Sequence, residues 1–171
     1  VVNILDVGAG PLSPLGEVSD HVIKVTAVDA LAVAYNKGLD ERCVGIGSPL
    51  RSKFGLAEQL DEMFAPETFD GIVCFNALDH CADPVMALQQ MVRLVKPGGF
   101  VYLTCWINEG VTEKWRGLHQ WNFNIENKIP VIWGRTRQIP VLDFFKGFKT
   151  ETWLSAKRKK LQGSFLARKQ A

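Results

Sequence analysis

A chain of 171 residues is long enough for one domain whose core needs neither disulfides nor a structural metal. Its 20 basic and 18 acidic residues leave a formal net charge of +2, which excludes a global field pulling it toward nucleic acid or an anionic membrane. No apolar run approaches the roughly 20 residues that span a bilayer and no secretory pattern opens the chain, so a cytoplasmic, membrane-free protein is expected. The chain opens on Val1-Val2-Asn3 without an initiator methionine and reads as a single domain, 1–171, trimmed of an N-terminal segment.

Residues Asn3 to Val7 form a short apolar run that ends in glycines, as a buried parallel strand does when it delivers the chain to a ligand-binding turn. The helix expected after Gly10 is short or irregular, because Pro11, Pro14 and Gly16 interrupt it. Ile23 to Val28 is a second strand, closed by Asp29, and Leu31 to Lys37 a short helical segment. Leu56 to Phe64 reads as another short helix or turn. Phe69 to Phe75 is a third strand and Phe100 to Trp106 a fourth. Between them, Pro84 to Val95 carries apolar residues at helical spacing, with Asp83 as N-cap, Pro84 in first position and Lys96-Pro97-Gly98-Gly99 as a stop.

After Trp106 the texture changes. Residues 107–134 mix tryptophans with glycine, asparagine and His119 and lack a helical period, the composition of an insertion over the carboxyl ends of the strands, which extends to about residue 147. Phe148 to Lys157 and Leu161 to Lys169 flank the basic run Lys157 to Lys160 and predict a terminal antiparallel hairpin. Cys43, Cys74, Cys81 and Cys105 lack C-x-x-C spacing and read as reduced, mostly core residues, so no metal site is expected.

In an open parallel sheet, ligands bind outside the carboxyl ends of the strands. Gly8 and Gly10 flank Ala9 at that place, where missing side chains allow backbone to approach a ligand. Asp29 ends the next strand, and a carboxylate there can accept both hydroxyl hydrogens of a ribose. These features suit a dinucleotide, and hence a nicotinamide-dependent oxidoreductase, as well as a nucleoside-based methyl donor. Against the first, Ser13 stands where the dinucleotide fingerprint has its third glycine, and Pro11-Leu12-Ser13-Pro14 is poorly built for a helix holding pyrophosphate.

Four segments together resemble a known family. Ile4-Leu5-Asp6-Val7-Gly8-Ala9-Gly10 resembles motif I of class I S-adenosylmethionine (SAM) dependent methyltransferases, and Val25-Thr26-Ala27-Val28-Asp29 resembles motif II. The run from Phe69 to His80 is similar to the strand-four motif, and Arg93-Leu94-Val95-Lys96-Pro97-Gly98-Gly99-Phe100 to the segment entering strand five. The resemblance is greatest to the type 11 group and spans residues 3 to 106. It implies a Rossmann-like α/β fold, with a mostly parallel seven-stranded sheet flanked by helices and ending in an antiparallel hairpin.

The same resemblance implies SAM as cofactor. The backbone of Gly8, Ala9 and Gly10 would face the methionine moiety, with Asp6 orienting that turn or reaching the ammonium through water. Asp29 would hold the ribose, Ala30 and Leu31 would lie against adenine, and Leu56, Ala57 and Glu58 would close on its edge through the Ala57 amide. Asn76 would sit beside the methionine end. The chain departs from the family at Leu12, often glycine, and at Leu56, often an aspartate that binds the adenine amino group.

Methyl transfer to an alcohol benefits from a general base, and histidine is the usual one. His21 reads as a surface residue away from the site. His80, beside Asp79, either lines the acceptor pocket or only fixes its loop; His119 either lines the pocket or belongs to an aromatic plug. The expected acceptor is a small molecule or a glycan, methylated at oxygen. The Asn76-Ala77-Leu78-Asp79 sequence lacks the Asn-Pro-Pro-Tyr type motif that the family uses for planar amines, which disfavours amino methylation of bases, and without a basic surplus nucleic acid is not an expected partner. A non-catalytic SAM-binding or interaction module is the alternative.

Overall fold

The computed structural model describes residues 1–16, 22–42, 50–157 and 160–171. Strands β1 (Val2–Val7), β2 (Ile23–Asp29), β3 (Lys53–Phe54), β4 (Phe69–Phe75) and β5 (Val95–Trp106) run parallel to their neighbours. Strands β9 (Phe148–Lys157) and β10 (Lys160–Lys169) form the terminal hairpin. The sheet order is β3-β2-β1-β4-β5-β10-β9, with β10 antiparallel to β5. The order reverses at β1, so the turn after β1 and the turn after β4 open side by side at the carboxyl edge.

Alternation along the strands divides the core between the two faces. Leu5, Val7, Ile72 and Cys74 point into the larger cluster, together with Leu88, Met91 and Leu94 of helix α2 (Pro84–Leu94) and Phe123 and Phe165. Ile4, Val25 and Val73 point the other way, against Leu15, Leu50 and Tyr102. Helix α1 (Ala32–Arg42) buries Ala32 completely. The predicted cap of α2 forms as expected: the Asp83 carboxylate accepts the Val85 N–H at 2.9 Å, with Pro84 in the first turn.

Two local readings change. Residues 11–16 contain no α-helix; the Ser13 amide donates to the Leu50 carbonyl at 3.0 Å, and Leu12 bridges Arg51. The Lys96-Pro97-Gly98-Gly99 segment does stop α2, but it already belongs to β5, whose register against β4 shifts between Phe69 and Gly71. Lys96 pairs with Asp70 at 2.8 Å, and Asp70 also accepts the Asn3 amide, so this acid ties β1, β4 and β5 together at the edge opposite the site.

The segment after β5 folds into structure of its own. A short helix α3 (Glu109–Thr112) precedes a three-stranded antiparallel sheet of β6 (Asn122–Glu126), β7 (Ile129–Trp133) and β8 (Gln138–Pro140). Asn127 and Lys128 turn the β6–β7 hairpin, both at positive φ, the geometry of a two-residue turn matched to strand twist. No helix among the described residues is long and apolar enough to cross a membrane.

Candidate functional site

The turn after β1 is built so that backbone lies at the cavity wall. Gly8 has φ +69°, and a Cβ there would stand 2.3 Å from that of Ala77, so β1 and the turn after β4 meet only because Gly8 has no side chain. The amides of Gly8 and Ala9 both donate to the Val28 carbonyl, at 2.9 and 3.1 Å. The Gly10 amide donates to Asp29 Oδ2 at 2.9 Å, and the Leu31 amide to Asp29 Oδ1 at 2.8 Å. Asp29 thus fastens the first turn to its own, and each oxygen keeps lone-pair capacity toward the cavity.

Beneath this turn Asp6 is fully buried. Ser13 donates its hydroxyl hydrogen to Asp6 Oδ2 at 2.6 Å, while Oδ1 has no partner among the described residues. Burial raises the Asp6 carboxyl to about 6, with the Ser13 hydrogen bond opposing and the Asp29 charge assisting. Asn76 closes β4 in the left-handed conformation, φ +49°, which asparagine tolerates; its amide donates to the Thr104 carbonyl at 2.7 Å, and its buried Oδ1 also lacks a described partner.

A cavity of about 580 Å³ opens between these turns. Of the residues that the sequence singles out, Gly8, Asp29, Ala30, Leu31, Leu56, Ala57, Glu58 and His80 line it. Asp6, Ala9, Gly10 and Asn76 are not among the residues that line it. Ala57 opens a 3-10 turn (Ala57–Glu62), so its N–H is among the donors that such a turn leaves unpaired. Glu58 has a task not foreseen: its Oε1 accepts the amides of Ala82 and Asp83 at 2.8 and 3.2 Å, clamping the loop before α2. Tyr35, Cys81, Met86 and Leu118 also line the cavity. Of these, Tyr35 was legible, since it lies one helical turn beyond Leu31 on the same face. Its hydroxyl is pushed above the usual phenol value by burial and by Asp29.

The second feature of the site is a triad. Leu78 to His80 make a 3-10 turn directly after β4. From the other side, the segment before β6 is stitched onto this turn: the Gln120 amide donates to the Asp79 carbonyl at 3.2 Å, and Trp121 Nε1 to the Cys81 carbonyl at 3.0 Å. Arg137 stacks over Trp121 and pairs with Asp83 at 2.9 Å. His119 is thereby carried to Asp79, its Nδ1 2.8 Å from Oδ2, while His80 Nε2 lies 3.1 Å from that Nδ1 and 3.3 Å from the same oxygen. Asp79 is buried, and burial raises its carboxyl while His119 pulls it down. His80 also lines a second cavity, of about 420 Å³, bounded by Leu118, Trp121 and Arg135.

His119 therefore belongs with His80, and Trp121 holds the segment that brings it there. His21 and Cys43 lie outside the described residues, as do Arg158 and Lys159 of the basic run; Cys74 and Cys105 are buried free thiols. Leu12 makes a backbone bridge to Arg51, and Leu56 places an apolar side chain where the family often has a carboxylate.

The family model described as a methyltransferase domain matches residues 5–103. The chain is 32% identical over 105 residues to the ubiquinone biosynthesis O-methyltransferase of Paracidovorax citrulli, a match covering 59% of this chain and 42% of that protein. Its match to the chloroplastic tocopherol O-methyltransferase of Arabidopsis thaliana is 21% identical and covers 75% of this chain and 37% of that one. The chain thus spans about two-fifths of the length of these curated relatives. Among solved structures, the phosphoethanolamine N-methyltransferase 2 of Haemonchus contortus, in complex with S-adenosylhomocysteine, shares the fold with a TM-score of 0.66 at 17% identity, covering 99% of this chain and 49% of that one. The matched residues hold both turns of the cavity and most of the parallel part of the sheet, and on that basis the chain belongs to the methyltransferase-domain family, with the fold of the class I SAM-dependent methyltransferases.

Proposed function

We propose that this chain binds SAM in the 580 Å³ cavity and transfers its methyl group to an oxygen of a small-molecule acceptor. The observation that carries the reading is the meeting of two walls in one cavity: Gly8 and Asp29 on the donor side and His80, with Asp79 and His119 behind it, on the other. Asp29 would accept from the ribose hydroxyls, Ala30, Leu31 and Tyr35 would lie along adenine, and the Ala57 amide would meet a ring nitrogen. The unpartnered Asp6 Oδ1 and Asn76 Oδ1 supply acceptor capacity near the methionine end.

For the transfer itself, His80 would take the hydroxyl proton of the acceptor. The new oxygen–carbon bond forms as the sulfur–carbon bond of the sulfonium breaks, and S-adenosylhomocysteine leaves. Holding acceptor and sulfonium in line supplies much of the acceleration, and a positioned base adds about 10² to 10⁴-fold. The names of the O-methyltransferase relatives support oxygen and a small acceptor; a glycan has no comparable support.

The test is incubation of the full chain with methyl-labelled SAM and a panel of hydroxylated aromatic and aliphatic acceptors. Labelled product and stoichiometric S-adenosylhomocysteine are expected for at least one hydroxyl compound. Cofactor binding without product from any acceptor would instead favour a non-catalytic SAM-binding module, the reading motivated by Leu56.

A further inference from the structure

We infer that Asp79, His80 and His119 form a binding site for one divalent transition-metal ion, contrary to the expectation from sequence that the chain has no metal site. The three donor atoms, Asp79 Oδ2, His80 Nε2 and His119 Nδ1, form a nearly equilateral triangle with sides of 2.8, 3.1 and 3.3 Å. A cation with ligand bonds of about 2.1 Å requires cis donors about 3.0 Å apart in octahedral geometry and about 3.4 Å apart in tetrahedral geometry. Two of the observed sides fall within that interval and the third, Asp79 to His119, is about 0.2 Å short of it, so a metal could be seated with small movements of the rings. The two imidazole planes lie 71° apart with centroids 4.6 Å from each other, so their nitrogen edges converge instead of stacking.

The backbone fixes this convergence independently of the donors. Asp79 and His80 are consecutive on a 3-10 turn, and the Gln120 and Trp121 hydrogen bonds hold the His119 segment against that turn. The donor oxygen is on a buried residue, while the side chains of His80 and His119 remain about one-third exposed, at 35% and 31%. A cation on the triangle would therefore be shielded on the Asp79 side and open on the other. Of the three ligands, His80 lines both neighbouring cavities.

Three protein ligands with open positions describe a site that also binds water or an exogenous oxygen. Two imidazoles and one carboxylate select zinc, ferrous iron, cobalt or nickel over magnesium and calcium, which take oxygen-only sets. In the metal-loaded protein these three side chains are ligands, and an acceptor oxygen bound at an open position would be activated by the cation in place of the His80 base.

The test uses the full chain, stripped with chelator and dialysed, and titrated with Co²⁺ followed by Zn²⁺ in competition. One equivalent of Co²⁺ is expected, with visible d–d bands, no thiolate charge-transfer band from Cys81, and displacement by Zn²⁺. His80→Gln and His119→Gln, both at partly exposed positions, should each weaken binding by about 100-fold or more while retaining the native melting transition. Asp79→Asn should do the same, and the two histidine variants keep the test decisive if this buried change prevents folding. No binding at micromolar metal, a thiolate spectrum, or unchanged affinity in both histidine variants would overturn the inference. The readout is metal binding alone, so its failure would leave the methyl-transfer reading intact, and the reverse holds as well.

Discussion

Ser13 donates its hydroxyl hydrogen to Asp6 at 2.6 Å beneath the turn after β1, and the same oxygen of Ser13 accepts the Leu15 amide at 3.1 Å. This one side chain supports the turn from residues 11–16, which hold no α-helix. Removing it by Ser13→Ala leaves a buried carboxylate with neither oxygen paired, an expected loss of about 1.5 to 3 kcal/mol in urea unfolding at pH 7. An unchanged midpoint would show that Asp6 has another partner.

The raised carboxyl of Asp6 gives that loss a pH dependence. Asp6 holds its proton up to about pH 6 in the folded chain but only to about 4 when unfolded, so the folded state binds more protons in that window. Its contribution to stability is therefore greatest below about pH 4, falls as pH rises to about 6, and is constant above. Unfolding free energies of the wild type minus those of Asp6→Asn, measured from pH 4 to 7, should decline over that interval. A difference that rises with pH would contradict the assignment.

Gly8 and Gly10 both sit at positive φ, yet their substitutions should differ. Gly8→Ala places its Cβ 2.3 Å from that of Ala77 and must separate β1 from the turn after β4. Gly10→Ala meets nothing within 4 Å and bears only the left-handed backbone cost, about 1 to 2 kcal/mol. Thermal melts should show Gly8→Ala as much the more destabilised, with loss of S-adenosylhomocysteine binding. Equal effects would mean that conformation, not the approach to Ala77, governs this turn.

Glu58 separates a charge requirement from a geometric one. Its Oε1 accepts two loop amides, a task that the carbonyl oxygen of Gln can also perform. Glu58→Ala should loosen residues 81–83, seen as faster amide hydrogen exchange there, and weaken cofactor binding, while Glu58→Gln should retain most of both. If Gln behaved like Ala, the negative charge itself would be the requirement.

Strands β1, β2, β4 and β5, α2 with its Asp83 cap and the terminal hairpin were legible because each carries a local signal: unbroken apolar runs, a helical period bounded by Pro and Gly, and alternation on either side of a basic run; the two-residue β3 carries none. The β6–β7–β8 sheet was not. Its hairpin turns on Asn127-Lys128, without the glycine that marks such turns, and Pro130 and Pro140 interrupt the pattern of its strands. For the same reason the sequence could name His80 and His119 separately but could not join them. Their contact depends on long-range hydrogen bonds such as Trp121 to Cys81, which leave no local pattern. Asp29 and Gly8 carried their own signal through spacing, whereas the clamp by Glu58 reaches 24 residues along the chain.

Calorimetric titration of the full chain with S-adenosylhomocysteine asks whether the cavity bounded by Gly8 and Asp29 is a SAM site. One equivalent should bind, and Asp29→Ala should weaken binding by about 10 to 100-fold, since the ribose would lose a charged acceptor and the Gly10 and Leu31 amides their anchor. No binding at high ligand concentration by folded protein, or the same affinity in Asp29→Ala, would mean that this cavity is not a SAM site.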